Sequence, residues 1–134
     1  MTSTRQQVKK KKALSTTQLR KKLWTQYFSP YIRLRDKGVC YTCRKTYDPK
    51  ICHAGHFVHK DCLDFNEKNV HCQCYYCNLR AGGNLAKYAE HLEADYGQGI
   101  IQELNRLGDA GKNWKVGELL ELIEIYKVKL LFQV

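Results

Sequence analysis

The middle of the chain carries two Cys-x-x-Cys pairs, Cys40-Tyr-Thr-Cys43 and Cys74-Tyr-Tyr-Cys77, with 30 residues between them. Each pair presents two thiolates from one tight turn, and two such turns supply the four sulfur ligands of a tetrahedral structural zinc site. The spacing exceeds that of compact zinc fingers, so the intervening segment must form structure of its own. Zinc binding supplies on the order of 10 kcal/mol of folding free energy, a large share for a small core. The sequence therefore predicts a structural Zn²⁺ held by Cys40, Cys43, Cys74 and Cys77.

The remaining cysteines and the N-terminal residues favour a reducing compartment. Cys52, Cys62 and Cys72 have no Cys-x-x-Cys partner, so we expect them not to bind metal. A total of seven cysteines argues against a disulfide framework, while a redox role or unrelated buried thiols is the alternative for the paired cysteines. No apolar run approaches the roughly 20 residues that a bilayer span needs. We expect a cytoplasmic protein without a membrane partner.

Positive charge is concentrated at the N-terminal end of the chain. The net charge is +10, and residues 1–37 hold eleven Lys/Arg and one acidic residue, whereas residues 86–134 hold six basic and eight acidic residues. A basic segment of this kind attracts a polyanion such as nucleic acid, because each neutralised phosphate releases condensed counterions. A solvated tail that only aids solubility is the alternative.

Hydrophobic periodicity divides the chain into four parts: a basic flexible arm (1–14), a basic and aromatic helical segment (15–38), a zinc-bound core (39–85) and C-terminal helices (86–134). We predict a helix start near Ser15, a kink or a new helix at Pro30 and a stop at Gly38. The aromatic stripe of this helix is predicted to be core and not a base-stacking platform. The stripe contains Leu19, Leu23, Trp24, Tyr27, Phe28, Tyr31 and Ile32. The overall expectation is an α+β fold.

Within and after the core, turn residues mark the element boundaries. We predict a short hairpin followed by a helix that starts near Cys77-Asn78, and a turn at Gly82-Gly83. Later helices are predicted to end at Gly97, to close at Gly108 and Gly111, and to begin again at about Lys115.

Three polar residues in and after this core have complementary chemistry. Phosphodiester cleavage needs a base that makes water nucleophilic and a divalent cation that stabilises charge on the phosphate. A neutral imidazole is the usual base near neutral pH, and His56 is predicted to lie on a short strand after Ala54-Gly55. Asn69 and Asn78 follow at fixed distances from the second cysteine pair. Each residue is ordinary by itself, since a lone histidine is usually structural and asparagine is common at helix N-termini.

Taken together, these residues form a recognisable pattern. It reads Cys40-x-x-Cys43, Ala54-Gly55-His56-Phe57, Asn69-Val-His-Cys-Gln-Cys74-x-x-Cys77-Asn78, then Gly83-Asn84-Leu85. The pattern resembles the HNH (ββα-metal) nucleases and, more narrowly, the NinG/Rap recombination endonucleases of lambdoid and related phages. The resemblance covers roughly residues 19–105 and is most specific over 40–85. It implies a zinc-stabilised ββα-metal core flanked by N- and C-terminal helices.

The resemblance implies a role for each matching residue. His56 takes the position of the general base, Asn69 that of the asparagine that orients the base, and Asn78 that of a catalytic-metal ligand. Gly55 stands where many HNH enzymes have a metal ligand, and His53 stands where NinG-like relatives tend to carry an acidic residue. We assign His53 with Asn78 to a catalytic Mg²⁺ or Mn²⁺, and an imidazole in this place favours transition metals. His59 and His71 are further candidates for a second ligand or a phosphate contact.

The resemblance also implies a metal-dependent DNA endonuclease that acts on branched recombination intermediates, Holliday junctions and D-loops, in the bacterial host of a phage. Symmetric junction cutting needs two active sites, which implies a homodimer. Phosphate contacts carry little sequence information, so we expect selection by DNA shape. The alternatives are a non-catalytic zinc DNA-binding module and an HNH nuclease for homing, restriction or packaging. The expected phosphate contacts are Lys9, Lys10, Lys11, Lys12, Arg20, Lys21, Lys22, Lys60, Lys68 and Arg80.

Overall fold

The computed structural model describes residues 12–133. In chain order it contains α1 (Thr16–Lys22), a π-helical segment (Leu23–Phe28), α2 (Ser29–Arg35), β1 (His53–His56), a 3-10 turn (Asp61–Leu63), β2 (Val70–Gln73), a π-helical turn (Tyr76–Arg80), α3 (Leu85–Tyr96), α4 (Ile100–Ala110) and α5 (Val116–Leu131). The predicted α+β class is confirmed. Within residues 12–133, every helix is too short or too polar to cross a lipid bilayer.

The first three helical segments follow one another without a break. Ser15 caps them, because its hydroxyl accepts from the Gln18 N–H while Gln18 Oε1 accepts from the Ser15 N–H. Pro30 lies in the first turn of α2, directly after the π-helical segment, so it begins a new segment of the same helix. The predicted stop at Gly38 comes earlier, at Arg35, because the chain turns there and the Gly38 N–H donates back to the Arg33 carbonyl (3.0 Å).

The two strands form an antiparallel hairpin in which His53 faces Gln73 and His56 faces Val70 across the sheet. Side chains alternate along a strand, so Ala54 and His56 share one face of β1 while His53 shares the other with Gly55. The π-helical turn follows β2, and this hairpin-then-helix order matches the prediction. Assignment of the unit to the ββα-metal class stays a prediction.

The main core lies between the N-terminal helix, the hairpin and α5. Phe28 is fully buried and Tyr31 nearly so, which confirms the core assignment of the aromatic stripe. Each such apolar side chain contributes about 1.5–3 kcal/mol on burial. The buried members of this core are Leu19, Leu23, Phe28, Tyr31, Ile32, Ala54, Phe65, Val70, Leu119, Ile123 and Tyr126. A second cluster joins α3 and α4 to the core segment through Tyr41, Tyr88, Leu92, Ile100 and Leu104.

The C-terminal helices follow the predicted turns with one correction. α3 ends before Gly97 and α5 begins at Val116, next to the predicted start. α4, however, continues through Gly108, which was predicted to close it, and ends before Gly111. A Cβ at Gly108 would lie 3.2 Å from the Lys60 side chain, so this glycine permits close packing on the loop after β1 and does not stop the helix.

Candidate functional site

The two Cys-x-x-Cys turns bring four thiols together. All four sulfur atoms lie within 4.8 Å of one another, and Cys43 Sγ is 3.9 Å from Cys74 Sγ. A tetrahedral zinc ion with bonds of ~2.3 Å needs sulfur atoms about 3.8 Å apart. In each turn a backbone N–H points at the first sulfur: Cys43 N–H at Cys40 Sγ, and Cys77 N–H at Cys74 Sγ. The four residues therefore fit a structural zinc ion and would supply all of its ligands.

Electrostatics in the cluster show why a cation suits it. Burial disfavours the Cys40 thiolate, but hydrogen bonds from the backbone of Cys43 and from the Thr42 hydroxyl outweigh it and lower the Cys40 pKa to about 6. Burial raises the pKa of Cys77 to about 12, and the neighbouring thiols Cys74 and Cys40 add to that rise. The cluster without metal favours one thiolate over several, and a divalent cation supplies the charge that four thiolates need.

The other cysteines lie outside this cluster, as predicted. The Sγ of Cys72, a residue of β2, is 3.0 Å from Cys52 Sγ, and both residues are buried. Cys62 Sγ donates to the carbonyls of Leu107 and Gly108 in α4.

His56, the predicted base, is the last residue of β1 and is held between two side chains that sequence reasoning did not assign to the site. Its ring stacks on Trp24, with centroids 4.7 Å apart and planes at 16°. Its Nε2 lies 3.2 Å from Asp64 Oδ1, and Arg20 donates to the other oxygen of that carboxylate (3.2 Å). The His56–Asp64 contact is not aligned as a hydrogen bond, since Nε2 is buried without a hydrogen-bond partner among residues 12–133.

Asn69 is fully buried and holds the segment that follows His56. Its Oδ1 accepts from the Val58 N–H (2.8 Å), and its Nδ2 donates to the Val58 carbonyl (3.0 Å). Its backbone carbonyl accepts from the Phe57 N–H (2.9 Å). These contacts are of the kind that an orienting asparagine makes, and that role stays a prediction.

His53 and Asn78, the two predicted catalytic-metal ligands, are neighbours. Asn78 Nδ2 lies 3.1 Å from His53 Nδ1, on the face of β1 that also carries Gly55. His56 lies on the opposite face, with Ala54 and the main core. The structure thus brings the two predicted ligands together and places the predicted base on the other side of the strand, one residue beyond Gly55.

His71 does not suit the second-ligand or phosphate role considered for it. It is buried, and its ring nitrogens lie 3.1 Å from the Tyr88 hydroxyl and 3.2 Å from the Tyr96 hydroxyl. Burial, helped by the positive charge of Arg35, lowers the His71 pKa to about 3, so the ring stays neutral in the folded protein. His59 is exposed, and its ring lies 6.0 Å from that of His56.

The predicted phosphate contacts differ in their freedom to bind. Lys9, Lys10 and Lys11 lie outside the described residues. Exposed positions are Lys12, Lys21, Lys60, Lys68 and Arg80, while Lys22 is half-buried. Arg20 is half-buried and engaged by Asp64 and Asp61, at 3.2 and 3.3 Å. Its guanidinium is therefore committed to the loop beside His56.

Trp24, Asp64 and Gln73 complete the surroundings of the predicted site. Trp24 belongs to a helical stripe that sequence reasoning places in the core, and its stack on His56 depends on how the helix packs on the hairpin. Asp64 follows a 3-10 turn and carries no motif. Gln73 stands directly before Cys74 and lies opposite His53 in the hairpin, so the strand register is the signal that identifies it.

Comparison with known proteins relates this chain to one family of phage proteins. The family model described as bacteriophage lambda NinG protein matches residues 2–132. The curated protein NinG of Escherichia phage lambda is 31% identical over 109 residues, which cover 78% of this chain and 52% of that protein. The NinG protein of Escherichia phage 933W is 31% identical over 109 residues (78% and 53%), and that of Enterobacteria phage H19B is 32% identical over 82 residues (59% and 41%).

This chain spans about half the length of the curated relatives it matches. No solved structure matches it significantly. The family model covers nearly the whole chain, and the chain belongs to the NinG family.

Proposed function

We propose that this protein is a metal-dependent DNA endonuclease of the HNH (ββα-metal) type, which hydrolyses phosphodiester bonds in branched recombination intermediates such as Holliday junctions and D-loops. The observation that carries the proposal is one hairpin-then-helix unit that holds His56, His53 and Asn78 beside a four-cysteine cluster. Membership of the NinG family supports it, since the sequence pattern resembles recombination endonucleases of that kind.

His56 is the proposed general base. It takes a proton from the attacking water, and the carboxylate of Asp64, 3.2 Å from Nε2, stabilises the imidazolium that forms. The His56 ring stacks on Trp24, and the Asn69 side chain makes two hydrogen bonds to the Val58 backbone. Both contacts limit the movement of the His56 ring. Preorganisation of this kind reduces the rearrangement needed at the moment of reaction.

His53 and Asn78 are the proposed holders of a divalent ion. An imidazole nitrogen and an amide oxygen suit Mn²⁺ or Mg²⁺, with the imidazole favouring Mn²⁺. When bound, the ion supplies Lewis-acid stabilisation of charge on the phosphate and the leaving oxygen. Because His56 and the His53–Asn78 pair occupy opposite faces of β1, a phosphate that contacts both must approach the end of that strand.

The exposed basic residues are the proposed phosphate contacts. Lys60 follows β1 and Arg80 ends the π-helical turn, so both flank the predicted site, whereas Lys12 and Lys21 extend the basic surface along the N-terminal helix. Contacts of this type position a duplex without reading its sequence. A homodimer supplies the second active site, with Leu131 and Phe132, 71% and 81% exposed at the end of α5, as the proposed interface.

A second candidate is a non-catalytic zinc module that binds DNA. One observation favours it: the His56 side chain is only 19% exposed, as a histidine that holds the fold would be. This candidate predicts that no divalent ion produces cleavage, and that substitution of His56 lowers stability without any effect specific to hydrolysis.

The test compares cleavage of a four-way junction with that of a linear duplex of the same sequence, each with Mn²⁺ and with Mg²⁺. His56→Ala is expected to abolish cleavage and preserve DNA binding. Gly117→Ala is the control, since a Cβ there meets nothing within 4 Å. Equal rates on the two DNAs would reject the branched substrate, and binding without cleavage under any metal would favour the zinc module.

A further inference from the structure

The Gln73 side chain is fully buried, and its carbonyl oxygen has no hydrogen-bond partner among residues 12–133. Its amide nitrogen donates to the Gly83 carbonyl (2.9 Å) and to the Thr42 hydroxyl (3.2 Å). A carbonyl can only accept, so the contact with Gly83 determines which end of the amide is the nitrogen. The orientation of Oε1 follows from that contact.

Oε1 of Gln73 points into the space above Gly55. A Cβ on Gly55 would clash with Gln73 Oε1 and lie 3.0 Å from Asn78 Oδ1, so two amide oxygens face the same small space. Gln73 also lies directly opposite His53 in the hairpin, and the His53 ring nitrogen is 3.1 Å from the Asn78 amide nitrogen. Three potential metal ligands, from β1, β2 and the π-helical turn, therefore lie near one another beside Gly55.

The chemistry of that position favours a cation. A buried acceptor without a donor is unusual in folded proteins because the lost hydration is not replaced. Two oxygens that converge without a donor between them suit a positive ion, and amide oxygens with one imidazole are ligands that Mn²⁺ accepts. Glycine at residue 55 is what leaves this space open, since any side chain would meet Gln73 Oε1.

We infer that Gln73 is a direct oxygen ligand of a divalent cation, together with Asn78 Oδ1 and a ring nitrogen of His53. The role of the ion in catalysis rests on the proposed function, but the site itself is inferred from the positions of the buried side chains. It assigns Gly55 a role as well: the residue keeps the ion position free of a side chain. The competing account is that the Asn78 amide is reversed, so that its nitrogen donates to Gln73 Oε1 and no ion is needed.

Mn²⁺ binding to the zinc-loaded full chain tests the inference without reference to cleavage. Free Mn²⁺ is measured by its solution EPR signal during titration of the protein. Gln73→Glu is expected to tighten Mn²⁺ binding by at least about tenfold, because a carboxylate replaces an amide oxygen ligand. A gain in affinity cannot arise from misfolding.

Loss of affinity provides the complementary result. Gln73→Met, of similar shape, and Gly55→Ala are each expected to weaken Mn²⁺ binding by at least about tenfold while zinc content is retained. Gly117→Ala is the matched control, since a Cβ there meets nothing within 4 Å, and it should leave the affinity unchanged.

The outcomes separate this inference from the proposed function. Mn²⁺ binding that tightens in Gln73→Glu supports the ligand assignment even when no DNA is cut, and that combination rejects the endonuclease. A wild-type protein that binds no Mn²⁺, or wild-type affinity in both Gln73→Met and Gly55→Ala, overturns the assignment and favours the reversed Asn78 amide.

Discussion

Removal of the metal from the four-cysteine cluster is expected to unfold most of the core. The segments around Cys40 and Cys77 meet in a cluster where, within residues 12–133, Tyr47 is the only apolar side chain packed beside the four cysteines. Apolar burial therefore contributes little to this junction, and we expect zinc–thiolate bonds to replace it. Their contribution is on the order of 10 kcal/mol, comparable with the whole stability of a typical small domain.

The assay is urea and thermal unfolding of three samples: the zinc-loaded protein, the chelator-treated protein and Cys43→Ser. Cys43 is the least buried ligand, so its substitution disturbs packing least. Cys62→Ser is the control, because its thiol lies outside the four-cysteine cluster and donates to two α4 carbonyls. Chelator treatment and Cys43→Ser should each abolish cooperative unfolding or lower Tm by tens of degrees. A Tm change below about 5 °C, roughly 1 kcal/mol, would refute a structural metal at this site.

Three further predictions concern the buried side chains of His71 and Asn69 and the half-buried carboxylate of Glu67. Burial, with the positive charge of Arg35, lowers the His71 pKa to about 3. The free energy of unfolding is therefore highest above pH ~6.5 and falls by up to ~1.4 kcal/mol per pH unit below it, because there only the unfolded chain protonates. Urea unfolding of His71→Gln should lack this loss. Glu67→Gln should cost about 1–2 kcal/mol in urea unfolding, because the Glu67 carboxylate accepts from Tyr31, Tyr126 and Lys129. Asn69→Ala should cost about 2–3 kcal/mol and expose the Val58 amide to hydrogen exchange.

Each has a control and a contrary result. His59→Gln should keep the wild-type acid dependence, and an unchanged dependence in His71→Gln would contradict the burial argument. Glu103→Gln removes an exposed ion pair with Arg106 and should cost almost nothing; an equal cost for Glu67→Gln would contradict its structural role. For Asn69, substitution of the exposed Asn113 by alanine is the control. Wild-type hydrogen-exchange protection of the Val58 amide in Asn69→Ala would show that the Asn69–Val58 hydrogen bonds are dispensable.

The cysteine frame could be predicted from sequence because the Cys-x-x-Cys turn is a local structure whose spacing dictates its geometry. The hairpin, the aromatic core helix and the start of α5 were also predictable from periodicity and turn residues. Gly108 was misassigned because a glycine that permits close packing and a glycine that ends a helix look the same in a single sequence. Its neighbours Val58 and Lys60 come from a distant segment.

The residues that surround His56 and His53 were harder to predict from the sequence. Trp24 and Asp64 reach His56 only because the N-terminal helix and the loop before β2 pack on β1, and no local pattern encodes that approach. In the sequence, Gln73 reads as part of the segment that leads into Cys74. That its carbonyl oxygen lacks a hydrogen-bond partner in the described part of the chain follows only from the strand register and from the hydrogen bond that its nitrogen donates to Gly83.

Single-turnover cleavage of a four-way DNA junction in Mn²⁺, with wild type, His56→Ala and the control Gly117→Ala at matched fractional DNA binding, tests the central claim most directly. We predict that His56→Ala lowers the cleavage rate at least about 100-fold at an unchanged Kd for DNA, while Gly117→Ala cleaves like wild type. Equal cleavage rates for wild type and His56→Ala would contradict His56 as the general base.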